Sequence, residues 1–369
     1  MDLPTDILTR EERAVLELRR IYEQYGYRRY RIEKFEPYDL YRENKDFLSE
    51  ETAITFPDAR GRLMALKPDV TLSVVKSYEP GPVPTKWHYA ESVFRRGREG
   101  DFREIRQIGL ESLGGAPLHA QAEVLLLALK SLAALSDDCI LALGHLGLLS
   151  RALGDTPLTE PILDCVRRKS PHDLARLVGV ERTGLMGRLM SLPPDLGHAL
   201  DAVRDLFSGL AGDAPEGRDE WDELKTLCGV LEESGLGDRV RLDFSVVQGL
   251  GYYNGLFFQG FVNGLPRPVL SGGRYDNLLE KLGKPSTAVG FAVYLAELEP
   301  LLRDGPRPVD VALIDACPDL RAVFARTEAW VRQGLSVRVC RSRAEALSLG
   351  AAAVWRLDAS GALQQEARP

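Results

Sequence analysis

Between residues 91 and 111 the chain sets five arginines, at 95, 96, 98, 103 and 106, between two strand-like arms at 92–94 and 107–110. Two apolar arms joined by a charged tip predict a β-hairpin, so part of the fold must be an antiparallel sheet. The tip also has a chemical reading. Guanidinium forks pair bidentately with phosphate or carboxylate oxygens, and five of them on one turn suit a polyphosphate. A solvated, charged turn is the plainer alternative, and the hairpin alone does not decide between them.

The rest of the chain supplies helices and further strands around this hairpin. Residues 10–25 read as an amphipathic helix, with Thr9 and Glu12 at capping-box spacing and Gly26 as a C-cap. A second helix is predicted over 120–135, a buried strand over 138–145, and another helix from 147. From 155 to 238 the pieces are short, amphipathic and split by prolines, which predicts a helical insertion. Alternation returns at 240–247, and 256–262 is aromatic and apolar, so both read as strands. Residues 288–302 read as a strand followed by a helix. From 308 onward strands alternate with helices (309–314, 320–332, 336–340, 344–349, 351–357), the pattern of a small parallel α/β unit.

Composition excludes some classes. With a formal charge of −7 and a pI near 5.5, the chain lacks the basic excess that gripping polyanions usually requires. The best apolar run, 124–135, is interrupted by Lys130 and falls short of the roughly 20 residues of a membrane span. The N-terminus lacks the basic-then-apolar pattern of a signal peptide. Five cysteines, odd in number and without a Cys-x-x-Cys pair, argue against a disulfide framework and structural zinc, and suit a reducing cytoplasm. No metal site or cofactor is predicted.

Order along the chain gives the hairpin its meaning. It resembles motif 2 of the class II aminoacyl-tRNA synthetases, in which Phe-Arg opens the loop; here these are Phe94 and Arg95. Upstream, Leu66-Lys-Pro-Asp-Val-Thr71 resembles the Arg-Pro-Glu-Gly-Thr segment of histidyl-tRNA synthetase. Downstream, Gln248-Gly-Leu-Gly-Tyr-Tyr-Asn-Gly255 resembles its Arg-Gly-Leu-Asp-Tyr-Tyr-Thr-Gly, and Gly272-Gly-Arg-Tyr-Asp276 matches its second histidine motif unchanged. Ala288-Val-Gly-Phe-Ala292 opens a segment similar to motif 3. Each match is weak alone, but five in order over 66–292 make a specific signal.

The resemblance implies an α+β fold: a class II synthetase-like antiparallel sheet flanked by helices. It gives a core of 1–154 and 239–305, the helical insertion at 155–238, and a truncated anticodon-binding-like α/β domain at 306–369. It also implies a pocket for histidine. Asp69, Thr71 and Gln107 would hold the α-amino group, Glu111 and Tyr253 would face the imidazole, and Tyr275 would close the site. Ordinary polar residues in a sheet-lined cavity are the alternative.

The nucleotide side departs from the family's pattern. The catalytic arginine of the histidine motif is Gln248, the aspartate after it is Gly251, and the motif 3 arginine falls at Glu297. A neutral amide cannot replace a cation that stabilises developing charge, a loss typically worth ~10²–10³ in rate. An anion beside a polyphosphate is repulsive by on the order of 4 kcal/mol at 4 Å and intermediate dielectric. Motif 2 has Gly97 where an acid is expected, and motif 1 has Glu33 where a proline is expected. Arg95, Gln248 and Glu297 therefore read as a vestigial nucleotide site, with no catalytic residues.

A synthetase-like chain with this asymmetry is similar to the regulatory-subunit family of ATP phosphoribosyltransferase. That resemblance implies no catalysis by the chain itself. It implies a core dimer, a hetero-octamer with the short-form catalytic subunit, and feedback inhibition by histidine in the first step of histidine biosynthesis. The glycines at 249, 251 and 255 are the candidate moving element, or else serve close packing. A divergent active histidyl-tRNA synthetase, and a synthetase-like protein with another binding role, are the competing readings.

Overall fold

The computed structural model describes residues 7–44, 53–97, 100–208, 218–248, 253–305 and 308–366. The chain divides into two compact units, Met1–Leu302 and Arg303–Pro369.

The first unit opens with α1 (Arg10–Gln24), started by the reciprocal Thr9–Glu12 capping box and followed by Gly26 at φ +83°. A short strand, β1 (Arg28–Arg29), and a small three-stranded sheet follow. That sheet joins β2 (Phe35–Pro37), β3 (Ile54–Pro57) and β4 (Leu63–Leu66) in the order β2-β4-β3, with α2 (Asp39–Glu43) between its first two strands. Next, α3 (Thr71–Ser77) leads to the long hairpin of β5 (Thr85–Arg96) and β6 (Phe102–Leu113). All twelve residues of each arm are paired in antiparallel register, from Thr85 opposite Leu113 to Arg96 opposite Phe102.

Helix α4 (Pro117–Leu135) carries Val124, Leu125, Leu127, Ala128, Leu129 and Leu132 into the core. It has the length and hydropathy of a membrane span despite Lys130, which corrects the expectation that no stretch comes near one; half of that span is buried within the fold. Strand β7 (Cys139–His145) and α5 (Leu146–Leu153) follow. Four helices then occupy the proline-split region: α6 (Glu160–Arg167), α7 (Pro171–Met190), α8 (Leu196–Ser208) and α9 (Arg218–Leu231). Strand β8 (Val240–Leu242) is shorter than the alternation over 240–247 predicts. Asp243 accepts from the backbone N–H and the hydroxyl of Ser245 and turns Phe244–Val246 into a 3-10 turn. Strand β9 (Leu256–Val262), β10 (Leu270–Arg274), α10 (Asp276–Lys281), β11 (Ala288–Tyr294) and α11 (Glu299–Leu302) complete the unit.

The main sheet runs β1-β5-β6-β11-β10-β9-β7-β8. Its six inner strands are antiparallel, while β1 and β8 join the edges in parallel. This is the α+β arrangement of a class II synthetase core.

The second unit orders its strands β13-β12-β14-β15: β12 (Val311–Asp315), β13 (Val337–Cys340), β14 (Ala353–Leu357) and β15 (Leu363–Glu366), with α12 (Leu320–Val331) and α13 (Arg343–Ser348). The first three strands are parallel. The last pairs antiparallel with β14 through a tight return at Asp358–Gly361 and corrects the all-parallel expectation. All five cysteines are unpaired and buried.

Candidate amino-acid-binding site

The register of the main sheet decides which side chains meet. In a strand, alternate residues share a face, and directly paired residues share it across strands. Trp87, Tyr89 and Glu91 on β5 therefore face the same side as Gln107, Gly109 and Glu111 on β6, Gly290, Ala292 and Tyr294 on β11, and Ser271 and Gly273 on β10. Glycines on this face make room for the side chains beside them. A Cβ on Gly290 would sit 1.7 Å from Oε2 of Glu111, one on Gly109 2.6 Å from the Tyr89 hydroxyl, and one on Gly273 2.5 Å from the Tyr253 ring.

Glu111 lies on this face and is almost wholly buried. The Thr71 hydroxyl donates to its Oε1 at 3.0 Å, and the Tyr275 hydroxyl to its Oε2 at 2.5 Å. Thr71 opens α3, and Tyr275 precedes α10, so two helix starts converge on one carboxylate. Burial pushes the Glu111 carboxyl up to about 8, further raised by Asp69 and opposed by the Tyr275, Thr71 and Tyr89 hydroxyls. A group so placed ionises readily only when a cation or N–H donor arrives to share the pocket.

Asp69 caps α3 by accepting from the backbone N–H of Leu72 at 2.9 Å. Burial raises its carboxyl too, while that backbone N–H and the nearby Arg95 charge pull it down. The Nε of Arg95 donates to the Pro68 carbonyl at 2.9 Å. Behind these, the fully buried Lys67 pairs with Glu91 at 3.1 Å, and the Phe94 N–H donates to the Lys67 carbonyl. The segment 67–71 is thus bolted to the hairpin at four points, counting the Thr71–Glu111 bond. Gln107 is buried on β6 opposite Tyr294, whose hydroxyl lies 2.5 Å from that of Ser271. Tyr253 is buried, and its hydroxyl is held well above the ordinary range by that burial.

The structure therefore joins Thr71, Glu111 and Tyr275 directly, with Asp69 close enough to raise Glu111 and Gln107 buried on the same face of the sheet. Sequence reasoning missed Tyr89, Tyr294 and Ser271, which line the same face. Only the pairing register brings them there, and no local motif encodes it.

The other group of residues lies apart from this hydrogen-bonded set. Gln248 is half-buried at the edge of 249–252, so the Gly249 and Gly251 readings fall outside the described residues, as does Arg98. Glu297 follows β11 and faces Arg267 at 3.4 Å. At the hairpin tip, Gly97 donates to the Asp101 carbonyl at 2.7 Å, and a Cβ there would strike the Asp101 carboxylate at 2.0 Å. Among the described residues no cluster of three metal-ligating side chains exists.

Residues 2–298 match the histidyl-tRNA synthetase family model. An ATP phosphoribosyltransferase regulatory subunit of Symbiobacterium thermophilum is 32% identical over 313 residues, covering 78% of this chain and 76% of that one. A histidine–tRNA ligase of Methanocaldococcus jannaschii is 30% identical over 290 residues, covering 74% and 68%. A solved structure described as an ATP phosphoribosyltransferase regulatory subunit/histidyl-tRNA synthetase from Bacillus halodurans C superposes with a TM-score of 0.76. It does so at 23% identity, covering 94% of this chain and 93% of that one. The fold and the matched model define a class II protein of the histidyl-tRNA synthetase family. Within it, the chain belongs to the ATP phosphoribosyltransferase regulatory subunits.

Proposed function

We propose that this chain is the non-catalytic, histidine-sensing partner of a short-form ATP phosphoribosyltransferase catalytic subunit. It enhances that subunit's activity and transmits feedback inhibition by histidine. The observation that carries the proposal is the buried Glu111, held by Thr71 and Tyr275 beside Asp69, with Gln107, Tyr253 and Tyr275 around it. Two buried carboxylates complement an α-ammonium and an imidazole N–H, and tyrosine rings give the imidazole apolar walls.

The nucleotide side supports no activation step. Arg95 remains, but Gln248 offers no positive charge, and Glu297 offers an anion already facing Arg267. With no cation at either position, charge developing on an α-phosphate lacks its stabiliser. Assembly follows as a core dimer within a hetero-octamer, in the cytoplasm, with nucleic acid not a ligand. Feedback then requires only that histidine bind the inhibited arrangement more tightly. A coupling of about 1–3 kcal/mol gives roughly 5- to 150-fold control.

The ligase among the relatives favours a second reading, a divergent synthetase. Histidine-dependent ATP–pyrophosphate exchange separates the two. The proposal predicts exchange no greater than a no-enzyme background, and clear exchange at saturating histidine and ATP would overturn it.

A further inference from the structure

Helix α9 packs into the core through Leu224, Leu227, Cys228 and Leu231, and beside that apolar seam it carries a polar node. Its Glu223 bridges two residues of the core: Oε1 lies 3.3 Å from Nε2 of His145, and Oε2 lies 3.8 Å from the Arg274 guanidinium. His145 is buried at the end of β7, and its Nδ1 accepts the Gly147 N–H at 3.1 Å, capping α5. An N–H aimed at Nδ1 leaves the ring proton on Nε2, so His145 donates to Glu223. Burial alone would raise the Glu223 carboxyl. His145, Arg274 and the nearby Gln121 amide outweigh it and hold the group ionised below the ordinary carboxylate range.

On the core side the node continues through residues flanking Tyr275 in the chain. Arg274 clamps Asp276 at 2.7 Å, and Asp276 accepts the Ala288 N–H through its other oxygen at 2.7 Å. Asn254 donates its backbone N–H to the Arg274 carbonyl and accepts the Asp276 N–H through its side chain. Tyr275, whose hydroxyl holds Glu111, stands between Arg274 and Asp276. Gly255 lies against the same two partners: a Cβ there would be 3.4 Å from Arg274 and 3.6 Å from His145.

The seam between α4 and α9 is also imperfectly satisfied. Oε2 of Glu220 is buried without a hydrogen-bond partner. Unpaired buried polar groups are costly, and a partly satisfied network is poorly suited to serve stability alone.

We propose that Glu223 is a positioning residue for the amino-acid pocket: through His145 and Arg274 it ties the docking of α9 to the placement of Tyr275, so that pocket occupancy and helix docking are one coupled equilibrium. The inference rests on the reading that the pocket binds histidine. By linkage, histidine then tightens α9, and loosening α9 weakens histidine.

The test combines calorimetric histidine titration with hydrogen exchange over residues 218–231, in the full chain, for wild type, Glu223→Gln and Leu227→Val. Leu227 is a fully buried apolar residue of the same helix, so its variant reports loss of packing alone. Glu223→Gln is expected to weaken histidine binding about five- to fifty-fold and to abolish histidine-induced protection of α9. Leu227→Val, with a lowered Tm, is expected to keep histidine affinity within about twofold of wild type and to keep that protection. The inference is overturned if either effect is missing in Glu223→Gln, or if Leu227→Val reproduces both. No histidine binding by wild type overturns the reading of the pocket itself, and this inference with it.

Discussion

Glu111 links the sequence to function through one physical quantity, the free energy of a buried carboxylate. Its carboxyl sits at about 8, against about 4.3 for an unperturbed glutamate. Between those values the folded chain holds a proton that the unfolded chain has lost, so this residue makes stability fall as pH rises from about 4 to 8 and adds no further slope above. Glu111→Gln removes that burden. The variant is expected to gain Tm over wild type at pH 8.5, with the gain shrinking towards pH 5.5, and to lose histidine binding at both. Equal Tm shifts at the two values would contradict the assignment. The same reasoning gives binding a proton signature. A cationic ligand that ionises Glu111 expels its proton, so calorimetry at pH 7 in buffers of different ionisation enthalpy should show net proton release. Glu111, Thr71 and Tyr275 are legible in the sequence because each lies in a short motif. Tyr89 and Tyr294 are not, because the register that brings Tyr89 near Glu111 and Tyr294 opposite Gln107 is set by the whole β5-β6-β11 ladder.

Secondary-structure elements fix how firmly those residues are held. Thr71 owes its position to α3, whose start is capped by Asp69 and whose end is capped by Lys284 from the turn before β11. The Lys284 ammonium donates to the carbonyls of Val75, Lys76 and Tyr78, at 3.3, 2.6 and 2.5 Å, and so ties α3 to the strand that carries Gly290. Replacing Lys284 by Met is expected to cost about 1.5–3 kcal/mol, the range for hydrogen bonds to a charged group, read as a lower denaturant midpoint. Weaker histidine binding should accompany it, and an unchanged midpoint would show that the cap is dispensable. The sequence reading found α1 through its capping box and amphipathic face, and α4 through its length and apolar content. It did not find α3, whose seven residues are almost all buried and show no face. It also extended β8 too far, because Asp243 and Ser245 end the strand through side-chain hydrogen bonds that alternation does not register.

At the scale of the whole molecule, a synthetase fold is kept while its two half-sites diverge. On the proposed reading the amino-acid half is the buried, hydrogen-bonded set around Glu111, and the nucleotide half is the one that holds an amide at 248 and an anion at 297. The proposed asymmetry is a reading of substitutions within motifs, position by position. Sequence alone could not give the node at Glu223, which joins residues 145, 223 and 274 across three separate elements. The central claim is most directly tested by reconstituting the chain with its short-form catalytic subunit and following phosphoribosyl transfer to ATP as histidine is titrated. The account predicts that adding the chain raises the catalytic subunit's activity, and that histidine then lowers it in wild type but not with Glu111→Gln. Activity indifferent to the chain, or inhibition unchanged by Glu111→Gln, would contradict it.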